Sequence, residues 1–375
     1  MTTRRVVVTG LGAVTPLGHD LAQTGAAIRT GRSAGAVPEI LDFNPRAHFR
    51  IPKALKVSSP VTRYAVAAAS MALADARWPE VEGGSDDLGV MVGSCGSDLQ
   101  AIDLARAIGP DPDHRAVHDI PYFAERILAG LHPLWLLVNL PNMISAHVAI
   151  QLSARGQNNT IMTDWVAGSQ SIGEAYEAIR RGDADAMLAG GSDSGRYPFA
   201  IGSHEQAGLF EPGDGEDVFL PGEGAAILLL EDRDSAIRRG APMRAEVRGY
   251  ATGSAWIDPS RAAEGAVATT MRAALDSAEW AADDVQQVVC TTIFSRGFLP
   301  NERASVAHVF GGSRRAVSYT AQLGHALGAA GPIDVALSVA LANGPSRTIC
   351  STVGCSGQAA TLAIETLATH SEGFS

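Results

Sequence analysis

The chain has 375 residues, 46% hydrophobic and 18% charged, a balance that suits a globular protein with one large core or two half-sized ones. Its 29 basic residues against 40 acidic ones leave a formal charge of −11. That excludes a basic nucleic-acid surface and argues against this chain docking an acidic carrier protein by itself. The four cysteines, Cys95, Cys290, Cys350 and Cys355, show neither C-x-x-C spacing nor closely spaced pairs, so they read as reduced, buried thiols of a cytosolic protein.

A strand follows Met1 to Arg5 directly, with no long apolar segment of a signal peptide, and the longest apolar stretches, Leu131 to Leu140 and Ala225 to Leu230, are too short to span a bilayer. A cytoplasmic protein without membrane contact is expected. Arg5 to Gly18 reads as a buried strand breaking into a glycine-punctuated loop. Gly10-Leu11-Gly12 hints at a dinucleotide loop, but the third glycine is misplaced and Pro16 stands where the helix would begin, so no nucleotide is expected there. Neither a cofactor nor a metal is expected elsewhere.

Apolar runs then alternate with helical patterns. The predicted strands are Leu88 to Gly93, Thr160 to Met162, Ala186 to Ala189 and Ala225 to Leu230. The predicted helices are Val61 to Ala76 and Ser171 to Arg181, the second with Ile172, Tyr176 and Ile179 on one face and an Arg180-Arg181-Gly182 stop. A second series predicts strands at Arg244 to Val247, Val285 to Thr291, Ala316 to Tyr319 and Thr348 to Thr352. Its helices are Gly265 to Ser277, Asn301 to Val309 and Ile333 to Ala342. Two similar series imply an α/β protein of two pseudo-duplicated halves, 1–236 and 237–375, meeting near Asp232 to Gly240 in one body without a Pro- or Ser-rich linker.

Between the two helices of the first series, Asn158 to Ala175 runs a strand through a small-residue turn into a helix. This stretch resembles the nucleophile turn of the β-ketoacyl synthases, usually S-T-A-C-A-A-G followed by A-I-G-E-A. The opening V-T-G-x-G-x-V-T-P-L-G string, Arg181 to Asp193 against R-x-G-D-A-D-x-M-x-A-G-G-x-D, Leu140-Pro141-Asn142-Met143 and Pro221 to Ala225 carry the resemblance along the whole chain. It implies the thiolase-like fold, five layers α-β-α-β-α.

The catalytic positions depart from the pattern. A cysteine at such a turn attacks a thioester because the helix N-terminus stabilises its thiolate. Here Trp165 holds that position, and an indole has no nucleophilic atom. The first histidine, of H-G-T-x-T-x-x-N-D, falls on Thr291, whose hydroxyl cannot act as an imidazole does near neutral pH. In the K-S-x-x-G-H-x-x-G-A-A-G stretch the lysine has become Ala321 while His325 remains, either as an inherited catalytic group or as a buried histidine kept for packing. The gating G-F-G-G loop reads Val353-Gly354-Cys355-Ser356-Gly357-Gln358. Cys355 lacks an evident base in the sequence and reads as structural. The usual R-D-G-F has become Glu216-Asp217-Val218-Phe219.

Such relatives occur as chain length factors, the silent partner of a ketosynthase in type II polyketide synthases. The resemblance implies a heterodimer with an intact ketosynthase, carrier protein bound mainly through that partner, and a share in shaping the acyl tunnel for decarboxylative Claisen condensation. Asp164-Trp165-Val166 differs from the G-E-Q-A of aromatic-polyketide members, and the retained Gly324-His325 points toward the branch making polyenes or aryl polyenes. Leu131 to Met143 is expected at the interface, with Trp135, Leu134, Leu140 and Met143 there and Tyr122 and Phe123 as further wall residues. Each aromatic has core packing as its alternative. Two other functions stay open, an active or decarboxylating acyltransferase and a pure scaffold or carrier-protein binder.

Overall fold

The first strand sets the centre of the fold. A computed structural model describes residues 3–96, 101–206, 220–254, 265–291, 302–312 and 316–368, and in it β1 spans Val6–Val14 with every residue buried. The expected glycine loop is therefore strand. Gly10 and Gly12 lie in it because a helix backbone presses against them: a Cβ on either would sit 2.0 Å from the carbonyl oxygen of Ala72 or Ala68. The glycines permit a close strand–helix approach.

The remaining strands are β2 (Leu88–Gly93), β3 (Asn158–Ile161), β4 (Ala186–Ser194), β5 (Glu223–Asp232), β6 (Ala245–Ser254), β7 (Gln287–Cys290), β8 (Ala316–Val317), β9 (Ser346–Val353) and β10 (Gln358–Thr366). They form a ten-stranded sheet in the order β3-β2-β4-β5-β1-β6-β10-β9-β7-β8. Subtracting five from each strand of the second half turns 6-10-9-7-8 into 1-5-4-2-3, the first half read outward from the join. The pairing repeats as well: β2 is parallel to β3 and β4, and β7 to β8 and β9, with antiparallel pairs filling the rest of each half. The halves join through β1 and β6, where Val6, Val7 and Val8 face Val247, Glu246 and Ala245.

Helices Ala167–Arg181 and Ala330–Ala340 touch each other and strands of both halves, forming the middle layer. Pro60–Asp75 and Met143–Leu152 cover the first half; Ala266–Ala278 and Glu302–Phe310 cover the second. This is the five-layer α-β-α-β-α thiolase-like arrangement. Pro60–Asp75 starts where the Ser59 side chain accepts from the Thr62 amide, with proline in its first turn. Ala167–Arg181 ends at Gly182 in the left-handed region, φ 87°, as its sequence predicts. Between β5 and β6 the chain is tied down by Arg239. Its Nε donates to Glu231 Oε2 at 2.7 Å and its Nη1 to the Ala76 carbonyl at 3.0 Å.

Candidate functional site

The strand ends of both halves converge on one region. After β3 the chain turns through residues 162–166, with Asp164 in the left-handed region at φ 59° and the Ala167 amide donating to the Asp164 carbonyl at 3.2 Å. Trp165 sits in this turn, only 1% exposed, packed with Leu327 against Cys95 and Cys355. Its ring centroid lies 4.6 Å from that of His325, tilted 52°, and 5.6 Å from that of His204, tilted 30°. The indole packs against His325 and offers no nucleophilic atom.

His325 is fully buried. Its amide donates to the Leu220 carbonyl at 2.7 Å and its carbonyl accepts from the Gly222 amide at 2.9 Å. Nδ1 accepts from the Leu327 amide at 3.1 Å, which places the proton of the neutral ring on Nε2. Burial, reinforced by the neighbouring His204, pushes its pKa down to about 3, so the ring is neutral across the physiological range.

Thr291, just past β7, is fully buried; its amide donates to the Ser351 carbonyl at 3.3 Å, and its hydroxyl has no hydrogen-bond partner among the described residues. Ala321 lies on the exposed side of the short Thr320–Leu323 helix, outside this cluster. Leu323 is the buried residue of that segment, and with the half-buried Thr320 it lines a small void that Glu223 and Asp334 also face. Residues Glu216 to Phe219 and Thr292 to Ser295 lie outside the described residues, as does Asn301 at the start of a predicted helix.

Several residues that hold the site together were not singled out by the sequence. The buried Asp193 carboxylate accepts from the amides of Cys95 at 2.6 Å, Gly328 at 3.2 Å and Ser194 at 3.0 Å, tying the ends of β2 and β4 to the loop after His325. Asp164 faces the turn between β9 and β10, with the Cys355 thiol 3.2 Å from its Oδ1. Cys355 thus does have a carboxylate beside it, contrary to the sequence reading. Burial first and Asp164 second push the thiol up to about 12, which keeps it protonated. Burial, followed by the charges of Asp193 and Asp164, also pushes Cys95 well above the usual thiol range. A signal was available: an aspartate where alanine usually precedes the nucleophile.

The expected interface residues lie on one flank, on the helices Ile120–Gly130, Trp135–Asn139 and Met143–Leu152. Leu134 and Leu140 are exposed, and Phe123 is partly so; Leu128 is 84% and Met162 51% exposed. Met143 and Trp135 are half-buried, and the Trp135 indole donates to Asp103 Oδ2 at 3.2 Å. Tyr122 is sandwiched between the guanidinium groups of Arg115 and Arg126, 4.5 and 4.8 Å from its ring centroid. These contacts tie Trp135 to the neighbouring Ala101–Ile108 helix and Tyr122 to both its own helix and the short Arg115–His118 helix. No helix among the described residues is long and apolar enough to cross a membrane.

Residues 33–236 match the family profile of the β-ketoacyl synthase N-terminal domain, and residues 244–345 that of the C-terminal domain. The 3-oxoacyl-[acyl-carrier-protein] synthase 2 of Staphylococcus aureus (strain COL) is 31% identical over 365 residues, covering 89% of this chain and 84% of that protein. The synthase of the same name from Rhizobium meliloti (strain 1021) is 30% identical over 377 residues, covering 89% and 85%. Among solved structures, the ishigamide ketosynthase/chain length factor superposes with a TM-score of 0.78 at 24% identity, covering 97% of this chain and 99% of that one. A β-ketoacyl synthase from Burkholderia phymatum STM815 gives 0.78 at 23% identity, covering 97% and 100%.

Proposed function

The chain belongs to the β-ketoacyl synthase family, and we propose that within it this protein is a non-catalytic subunit of the chain-length-factor type. In this reading it pairs with an intact ketosynthase and shapes the acyl tunnel while the partner condenses acyl and malonyl carrier-protein thioesters. The observation that carries it is Trp165, buried in the nucleophile turn and packed on His325. Decarboxylative condensation needs an atom to take the acyl group and donors to hold the developing enolate. The first is absent at position 165, the first histidine is Thr291, and the two nearby thiols are held protonated.

The surface supports pairing. Among the described residues β3 is an edge strand of the sheet, and such an edge together with exposed apolar side chains such as Met162, Leu134 and Leu140 is a liability for a lone subunit. A permanent interface of roughly 2,000 Å² or more would cover it. The pseudo-twofold arrangement would bring the Trp135–Asn139 helix against the partner's tunnel.

A second reading, an active β-ketoacyl-[acyl-carrier-protein] synthase, draws on the 31% identity to enzymes of that name. Co-expression with an intact ketosynthase separates the two. The expected result is a heterodimer in size-exclusion chromatography, condensation only by the pair, and labelling of the partner alone by a cysteine-directed ketosynthase inhibitor. Trp165→Cys leaves this chain inactive, because Thr291 still cannot replace the histidine. Condensation by this chain alone, or label on its Cys95 or Cys355, would establish the second reading instead. A pair whose products are indifferent to every change in this chain would leave only a scaffold.

A further inference from the structure

The turn between β9 and β10 is closed by hydrogen bonds of its own, the Gly354 amide to the Gln358 carbonyl at 2.8 Å and the Gly357 amide to the Gly354 carbonyl at 3.1 Å. What fixes it over the site is one carboxylate. Asp164 Oδ2 accepts from the Ser356 amide and from the Ser356 hydroxyl, both at 2.9 Å, and the Cys355 thiol lies 3.2 and 3.3 Å from its two oxygens. The fit is close: a Cβ on Gly354 would stand 2.6 Å from Asp164 Oδ2. The Cys355 side chain in turn packs against the cluster of Leu327 and Trp165, the next residue along from Asp164. Floor and roof of the vacated site are thus joined through adjacent residues of one turn.

We infer that Asp164 is a strap: a positioning residue that fastens the β9–β10 turn down over Trp165 and keeps the site shut with no acyl group inside. An ionised carboxylate suits this work because it accepts several hydrogen bonds at once and each is stronger than a neutral one. Its charge has a second effect on the same turn, since an anion beside Cys355 opposes formation of a thiolate there. The strap gives the subunit a roof that does not respond to substrate. That consequence rests on the non-catalytic reading above, whereas the strap itself is testable on this chain alone.

The test uses the full chain carrying Asp164→Ala or Asp164→Asn, with far-UV circular dichroism to verify the fold. Two readouts follow: hydrogen–deuterium exchange of the peptide covering residues 353–358, and alkylation of Cys355 by iodoacetamide, mapped by mass spectrometry across pH. In Asp164→Ala, exchange and alkylation are expected to rise at least tenfold. In both variants the alkylation profile should shift to lower pH, which loss of packing alone would not produce. Asp164→Asn should fall between wild type and alanine, because an amide has one acceptor oxygen. Should Asp164→Ala fail to fold, Ser356→Ala removes one bond and keeps the charge, with a rise of about threefold in exchange and no pH shift expected. Wild-type exchange and alkylation in a folded Asp164→Ala or Ser356→Ala protein overturn the strap and leave the non-catalytic reading standing.

Discussion

Trp165→Ala is the most direct probe of what the nucleophile turn has become. The side chain is 1% exposed, so nearly all of the roughly 150–250 Å² an aromatic of this kind buries is out of water. At about 25 cal/mol per Å² that corresponds to some 4–6 kcal/mol, less the part alanine retains. Large-to-small changes at buried tryptophans cost about 3–5 kcal/mol, the spread set by how far the surroundings collapse. Collapse should be limited here. Leu327 is anchored through His325, Cys95 through Asp193, and Cys355 through Asp164. The expected loss therefore lies in the upper part of that range, read as a lower urea midpoint at unchanged m-value. Free indole should enter the dry cavity and restore part of the loss, up to about 2.7 kcal/mol at a hundredfold excess over its Kd. A loss below about 1 kcal/mol, or full loss with no response to indole, would refute the idea of a preformed indole-shaped site.

Acid should weaken the fold through His325. Its pKa is depressed from the usual 6.5 to about 3, so the unfolded chain takes up the proton first as pH falls. Its contribution is whole above pH 6.5 and lost between 6.5 and 3, at roughly 1 kcal/mol or slightly more per pH unit; equal pH dependence of wild type and His325→Gln in urea titrations would refute this. Arg239→Ala should cost about 3–5 kcal/mol, since it strands the buried Glu231 carboxylate, and Arg239→Lys should recover only part because an ammonium cannot fork across both oxygens. In the proposed pair with an intact ketosynthase, Trp135→Ala frees Asp103 as well as space. Longer carrier-bound intermediates by mass spectrometry are expected, and an unchanged distribution would mean that the indole serves only to pin its helix to the Ala101–Ile108 helix.

Much of the frame was legible because it is periodic or capped. Leu88 to Gly93 is an unbroken apolar run and is β2, and Ser59-Pro60 opens the helix predicted from Val61. What escaped depends on partners far along the chain. The Gly10-Leu11-Gly12 string has loop composition, yet it is strand because the Pro60–Asp75 helix lies against it. β10 was not read at all: Gln358–Thr366 mixes small and apolar residues without clear alternation, and it is buried along most of its length between β6 and β9. The helix after Trp165 begins at Ala167, four residues earlier than predicted, since Ala-Gly-Ser-Gln carries little helical signal of its own. At the site, the motif put Trp165 in a turn between a strand and a helix, where it lies. The contact of Asp164 with Cys355 and Ser356 was not legible, because it joins positions far apart in sequence.

Asp193 shows how, in the proposed non-catalytic reading, such a site would lose its chemistry without losing its shape. It binds three main-chain amides, of Cys95, Ser194 and Gly328, and none of those bonds involves a side chain that would react. Shape and reactivity are therefore written in separate sets of atoms. Mutations at Trp165 or Thr291 can erase the reaction without asking the backbone to find a new path. Two copies of one ancestral protein could then part ways by a few side-chain exchanges, one keeping its reactivity and the other free to vary, while the surface through which they recognise each other is inherited intact.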